Sequence, residues 1–234
     1  MNIIVTGASK GIGYEIVKAF AAQENCKIIA IARNETALFR LREECKVSFP
    51  DSTVIPIVFD LTVSAYRTEL LPRVEKHFSR VDVLINNAGK LINKPFEALT
   101  EYEFDNLMDV NVKSAFKMIK LTLPMMHKGA HIVNIGSMGG VQGTVKFSGL
   151  SVYSASKGAL AILTECLAEE LKSRHIAINC LALGAVHTEM FHSAFPGFKA
   201  PNSPEQMATY ISDFALNGNQ FYNGKILQVS VSTP

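Results

Sequence analysis

Cysteine is scarce in this chain: four in 234 residues, at positions 26, 45, 166 and 180, with no CxxC pair. That spacing excludes a disulfide framework and a zinc finger, and reads as free thiols of a reducing compartment. An excess of one charge is lacking too. Lysine plus arginine number 23 against 21 acids, a net charge of +2, so there is no basic field for nucleic acid or an anionic membrane. The longest uncharged apolar run, Ile176 to Val186, is far short of the ~20 residues that cross a bilayer. Met1-Asn2-Ile3-Ile4-Val5 has neither the charged start nor the long apolar stretch of a signal peptide. No HExxH is present, and Gly136-Ser137-Met138-Gly139 misses the GxSxG of serine hydrolases. A cytoplasmic protein without a metal, nucleic-acid or membrane partner is expected.

What is there is core-forming material: 48% apolar residues against 19% charged, too apolar for disorder. Short β-branched runs recur at Asn2–Thr6, Lys27–Ala32, Thr53–Phe59, Val81–Asn86, Ala130–Gly136, Ile176–Leu181 and Lys225–Ser230. They are continuously apolar rather than alternating, as parallel strands covered on both faces require. Between them lie helical stripes, one of Ile12, Ile16, Val17 and Phe20, another of Val152, Ala155, Ala159, Leu163, Leu167 and Leu171. Thr100 with Glu103, and Ser203-Pro204-Glu205-Gln206, are helix-start signatures, and Gly218 reads as a stop. No repeat or Pro/Gly linker divides the chain. The alternation predicts an α/β fold, one doubly wound parallel sheet with helices on both faces, in a single domain over 1–234.

Thr6-Gly7-Ala8-Ser9-Lys10-Gly11-Ile12-Gly13 follows the first strand and opens the first helix. Glycines there let the backbone approach a pyrophosphate, whose charge suits a helix N-terminus. The spacing is GxxxGxG. Tyr153 and Lys157 stand four apart in a helical segment, hence on one face. A phenol of ordinary pKa near ~10 is a poor proton donor or acceptor at neutral pH; a neighbouring ammonium lowers that value.

Together with Asn86-Asn87-Ala88-Gly89, Asn111, Ser137 and Tyr153-Ser154-Ala155-Ser156-Lys157, all in one order, the glycine loop resembles that of the short-chain dehydrogenase/reductase family over residue 2 to about 190. The resemblance implies a Rossmann-type three-layer sandwich of seven strands in order 3-2-1-4-5-6-7. It implies hydride transfer between a nicotinamide and a carbonyl or alcohol, with Tyr153 as acid/base, Lys157 beside it on the nicotinamide ribose, Ser137 on the substrate oxygen and Asn111 holding a water. Cofactor contacts carried over are Gly7, Ser9, Lys10, Gly11, Ile12, Gly13, Arg33, Asp60, Leu61, Asn87, Ala88, Gly89, Gly184, Val186 and Thr188, besides Tyr153 and Lys157. Arg33 ends the second strand where an NAD enzyme carries an acid. With Lys10 it favours the 2′-phosphate of NADP(H) over NAD(H). The family's habit is a homodimer or homotetramer pairing the long helices at about 100–126 and 152–173.

Two departures stand out. Leu183 replaces the family's usual proline, which frees the following loop, and the Ser137–Tyr153 stretch is extended, with Gly139, Gly140, Gly143 and Gly149. Residues 184–203 carry Phe191, Phe195 and Phe198 with little periodicity; this reads as a substrate lid, or as a hydrophobic turn packed on the body or a neighbouring subunit. His187 and His192 within it suit a substrate contact or solvent better than a metal. A dinucleotide-binding sensor or scaffold without turnover is the alternative reading.

Overall fold

The computed structural model describes residues 1–23 and 25–231; Glu24 and 232–234 of the expected 1–234 unit lie outside the described residues. Its elements are β1 Asn2–Thr6, α1 Gly11–Ala21, β2 Lys27–Ala32, α2 Glu35–Ser48, β3 Thr53–Val58, α3 Leu71–Glu75, β4 Val81–Asn86, α4 Glu101–Met108, α5 Ser114–Thr122, β5 Met126–Ser137, α6 Ser151–Glu170, β6 Ala177–Leu183, α7 Glu189–Ala194, α8 Pro204–Asn217 and β7 Ile226–Val229. The strands form one parallel sheet in the order β3-β2-β1-β4-β5-β6-β7, as expected.

Strand side chains alternate between two covered faces. Ile3, Val5, Ile28 and Ile85 pack with Ile16, Val17 and Phe20 of α1, Leu38 and Leu41 of α2, and Met207 and Ile211 of α8. Ile4, Ile29, Leu84 and Ile132 pack with Val74 of α3, Met118 and Ile119 of α5, and Ala168 of α6. The result is a helix–sheet–helix sandwich of the Rossmann type.

Several boundaries move. β5 begins at Met126 rather than Ala130, because a register irregularity lets Met126 pair with Val81 ahead of the regular ladder. β6 runs to Leu183, which pairs with both Ser137 and Val229 and is buried. The leucine in place of proline therefore continues the strand and anchors the chain entering the 184–203 segment, where a freer start was expected. The long helix expected at 100–126 is broken by a wide π turn at Asp109–Lys113 and closed by a 3₁₀ turn at Leu123–Met125 containing Pro124. Both expected helix starts form reciprocal capping boxes, Thr100 with Glu103 and Ser203 with Gln206. Gly218 does close α8, but at φ −64°, not in the left-handed region. Glycine serves there because a Cβ would lie 2.7 Å from the Phe214 ring.

The stripe expected to seat α6 holds at its ends, where Val152 and Leu171 are buried, and misses the seat between them. Ala155 is exposed and Ala159, Leu163 and Leu167 are half-buried. The buried face carries Ser156, Lys157, Leu160, Thr164 and Ala168 instead. Three of those are polar, so a rule that tracks apolarity turns the helix away from its true seat.

Candidate active site

The carboxyl ends of β1, β4, β5 and β6 gather the segments singled out above. Thr6 Oγ1 donates to the Ile85 carbonyl (3.3 Å) and accepts from the N–H groups of Asn87 (3.0 Å) and Ala88 (3.1 Å). Asn87 Nδ2 in turn donates to the carbonyls of Thr6 (3.0 Å) and Gly7 (3.3 Å). These bonds staple the glycine loop to β4. The staple fits only because Gly13 has no side chain: a Cβ there would collide with Asn87 Nδ2 and the Gly7 carbonyl. Gly7 makes the turn in the left-handed region, φ +69°. Ser9, Gly11 and Ile12 are half-buried in the same turn.

The N-terminus of α1 has no side-chain cap and no acid in its first turn. Helices α2, α4, α7 and α8 are each capped by a side chain, from Asn34, Thr100, Thr188 and Ser203. Uncapped N–H donors at the positive end of a helix dipole fit an anion such as a dinucleotide's pyrophosphate.

Around the rim, the expected basic groups already have partners. Lys10 Nζ meets Glu189 Oε2 at 2.7 Å, and Arg33 lies 3.8 Å from Asp60 Oδ2. The other oxygen of Asp60 accepts from the N–H (2.9 Å) and hydroxyl (2.8 Å) of Thr62. Burial works against the Asp60 carboxylate, but the Thr62 bonds and Arg33 hold its pKa below the ordinary value. Leu61 is turned into the core beside Phe59 and Tyr66, and its carbonyl accepts from the Tyr66 hydroxyl (2.8 Å).

Beneath α6 the polar groups are buried and mutually bonded. Lys157 Nζ, 5% exposed, donates to the Ile135 carbonyl at 2.8 Å. Burial lowers its pKa to about 8. The Tyr153 phenol lies within hydrogen-bond reach of Ser137; burial pushes its pKa up and the Ser137 hydroxyl pulls it partly back. Ser137 is the last residue of β5, not just past it, and its Oγ accepts from Gly139 N–H at 3.2 Å, which aims the hydroxyl.

Asn111 sits in the π turn, 1% exposed. Its Oδ1 accepts from Lys90 N–H (2.7 Å), while Nδ2 donates to the Lys90 carbonyl (2.9 Å) and to Ser156 Oγ (2.9 Å). Both amide hydrogens are thus used within the protein, and a water would meet Asn111 through its acceptor oxygens. Gly89 lies between Asn111 and Lys157: a Cβ on it would be 3.5 Å from Asn111 Oδ1 and from Lys157 Nζ alike. A second buried ladder, Asn86 Nδ2 to Asn134 Oδ1 (2.8 Å) and Asn134 Nδ2 to Thr164 Oγ1 (2.9 Å), joins β4 and β5 to α6. Sequence reasoning passed over Asn134, Thr164 and Ser156. Their signal was polarity inside an otherwise apolar strand or helix face.

In the segment 184–203, Gly184 N–H bonds the Val229 carbonyl (2.9 Å) and Val186 is buried, bridged to Asn202. Thr188 caps α7, accepting from Phe191 N–H at 3.2 Å, with its methyl over Gly11. The segment is thus part helix, not an aperiodic loop. It leans on the extended 137–153 loop through Phe195 against Phe147 (ring centroids 6.3 Å), and Asn93 Nδ2 donates to the Ala194 carbonyl (2.7 Å). His187 and His192 are exposed and share an Nε2···Nε2 contact of 3.1 Å. A side cleft of about 670 Å³ between Phe96 and Phe147 ends at Ser154, without touching Ser137 or Tyr153.

The family model for short chain dehydrogenases matches residues 1–197. The chain is 32% identical over 239 residues to the 3-oxoacyl-(acyl-carrier-protein) reductase of Thermotoga maritima, covering 97% of this chain and 94% of that one. It is 37% identical over 194 residues to the L-xylulose reductase of Caenorhabditis elegans, covering 81% and 73%. A solved short-chain dehydrogenase/reductase from Serratia marcescens superposes with a TM-score of 0.87 at 27% identity, covering 97% and 95%. The chain belongs to the short-chain dehydrogenase family, whose members are oxidoreductases that bind a nicotinamide dinucleotide.

Proposed function

From that membership we propose that this protein is an NADP(H)-dependent oxidoreductase that interconverts a carbonyl and an alcohol, with Tyr153 as its acid/base. The observation that supports the reading is the docking of α6 on the end of β5, where the Ser137 hydroxyl acts on the Tyr153 phenol and Lys157 Nζ donates to the carbonyl of Ile135, two residues before Ser137. When bound, the dinucleotide supplies or accepts the hydride.

The side chains do the rest. A phenol whose pKa burial has raised is fully protonated at neutral pH, which suits giving a proton to a carbonyl oxygen in the reductive direction. Ser137, oriented by Gly139 N–H, donates to the same oxygen and steadies developing negative charge. Lys157, with a pKa near 8, retains an ammonium at pH 7 and, one turn along α6 from Tyr153, favours the phenolate once the proton has left. Asn111 acts as a positioning residue, tying Lys90 to Ser156 of α6.

Arg33 and Lys10, mostly exposed at the rim, support a 2′-phosphate and therefore NADP(H). Thr188 and Val186 take the nicotinamide side, and 184–203 is the lid of a single unit spanning 1–234. Phe147, Phe191 and Phe195, in ring contact across lid and loop, favour a ketone or aldehyde of modest polarity. The two relatives are named for a 3-oxoacyl carrier and for a sugar. A cytoplasmic homodimer or homotetramer fits the exposed Phe104, Phe116 and Ile162 on α4, α5 and α6; no helix among the described residues is long and apolar enough to cross a membrane.

NADPH absorbance followed over a panel of carbonyls tests the chemistry. Tyr153→Phe lowers kcat about 10³-fold. Equal turnover by variant and wild type overturns the assignment, and no turnover on any carbonyl with NADPH bound leaves the sensor reading in its place.

A further inference from the structure

The glycine loop and the lid are joined by one ion pair, Lys10 Nζ to Glu189 Oε2, whose side chains are 65% and 74% exposed. Lys10 holds the Glu189 carboxyl below its ordinary range, so it is an anion at neutral pH. Glu189 is also set in place independently of Lys10. It is the first residue of α7, directly after Thr188, whose hydroxyl caps the helix and whose methyl lies over Gly11. A carboxylate is thus stationed beside the glycine loop and takes up the ammonium that a 2′-phosphate needs.

We propose that Glu189 is a cofactor-specificity residue: its carboxylate competes with the 2′-phosphate for Lys10, so NADP(H) must untie the lid while NAD(H) leaves it tied. This rests on the reading of Lys10 and Arg33 as the phosphate pair. A phosphate near two negative charges, helped by Arg33, displaces one carboxylate because the Coulomb attraction grows with charge. NADH offers Lys10 nothing in exchange. An exposed ion pair is weak, so the effects are of a few fold.

The test is binding of NADPH and NADH, by cofactor fluorescence, to wild type, Glu189→Gln, Lys10→Met and the double variant. Glu169→Gln serves as control, since it breaks another exposed pair (with Lys172, 3.1 Å) at the far end of α6. Glu189→Gln tightens NADPH about three-fold, leaves NADH unchanged, and has no effect once Lys10 is methionine. Amide exchange over 189–194 is faster with saturating NADPH than with saturating NADH in wild type, and equal for the two in Glu189→Gln. Unchanged NADPH affinity in Glu189→Gln, while wild type still prefers NADPH and Arg33→Ala abolishes that preference, overturns the proposal and spares the NADP reading. Equal tightening of both cofactors, or the same gain in Glu169→Gln, reduces it to net charge and overturns it as well. Wild type binding NADH as tightly as NADPH removes the reading beneath it.

Discussion

At the α6 end of the cleft, Lys157, Asn111 and Ser156 are 5%, 1% and 0% exposed and are bonded to Ile135, Lys90 and one another. At the glycine-loop rim, the side chains of Lys10, Arg33 and Glu189 are mostly exposed and meet their partners only as exposed ion pairs. The first arrangement is costly to disturb, because every buried polar atom that loses its partner keeps its desolvation penalty. The second is cheap, because water and salt replace an exposed partner. The proposed function thus puts proton chemistry on the rigid side and cofactor choice on the adaptable one.

The contrast can be broken most severely at Lys157. Lys157→Met keeps the volume and removes the ammonium; kcat falls about 10³-fold while NADPH affinity, read by titration, falls far less. A variant retaining most of its kcat would show the buried cation to be structural only. Asn134→Ala strikes the same side through stability: Asn86 and Thr164 lose their partner, and urea unfolding gives a loss of about 3 kcal/mol. An effect below about 0.5 kcal/mol would mean that the ladder is not under tension from burial.

His131 sharpens the comparison by pH. It is buried, Nδ1 against the Ala215 carbonyl (3.0 Å) and Nε2 against Asn179 Nδ2 (3.0 Å), an arrangement that needs a neutral ring. Burial lowers its pKa to about 4 from 6.5. The unfolded chain therefore takes up this proton at a higher pH than the folded one. The stability is fully present above pH 6.5 and is lost as pH falls toward 4, by about 2 to 3 kcal/mol. His131→Gln flattens that slope in a pH series of urea melts; an unchanged slope assigns the acid sensitivity elsewhere. The smallest effect belongs to the rim. Arg33→Ala lowers the NADPH-to-NADH affinity ratio about ten-fold, or ~1.4 kcal/mol, and leaves the melting temperature where it was. A lower melting temperature would deny that the rim is adaptable.

Much of this could be read before any coordinates. Continuous apolar runs gave the strands and their burial on both faces, and TGxxxGIG gave the tight turn that opens α1. The YxxxK spacing put Tyr153 and Lys157 on one face. Where the reading slipped, a polar group had been judged by its own chemistry alone. On α6, Ser156, Lys157 and Thr164 occupy the buried face that apolarity predicted for Ala155 and Leu163.

The strands, the glycine loop and the capping boxes follow from the sequence by itself, because each depends on residues a few positions apart, whereas the strand order was legible only through the family resemblance that the motifs carry. Tertiary structure decided who meets whom across the cleft. Glu189 and Lys10 are 179 positions apart, and Lys157 finds the Ile135 carbonyl only because β5 and α6 pack together. Which buried donors are already spent, and which way desolvation moves a pKa, depend on that packing, and local pattern carries no record of it.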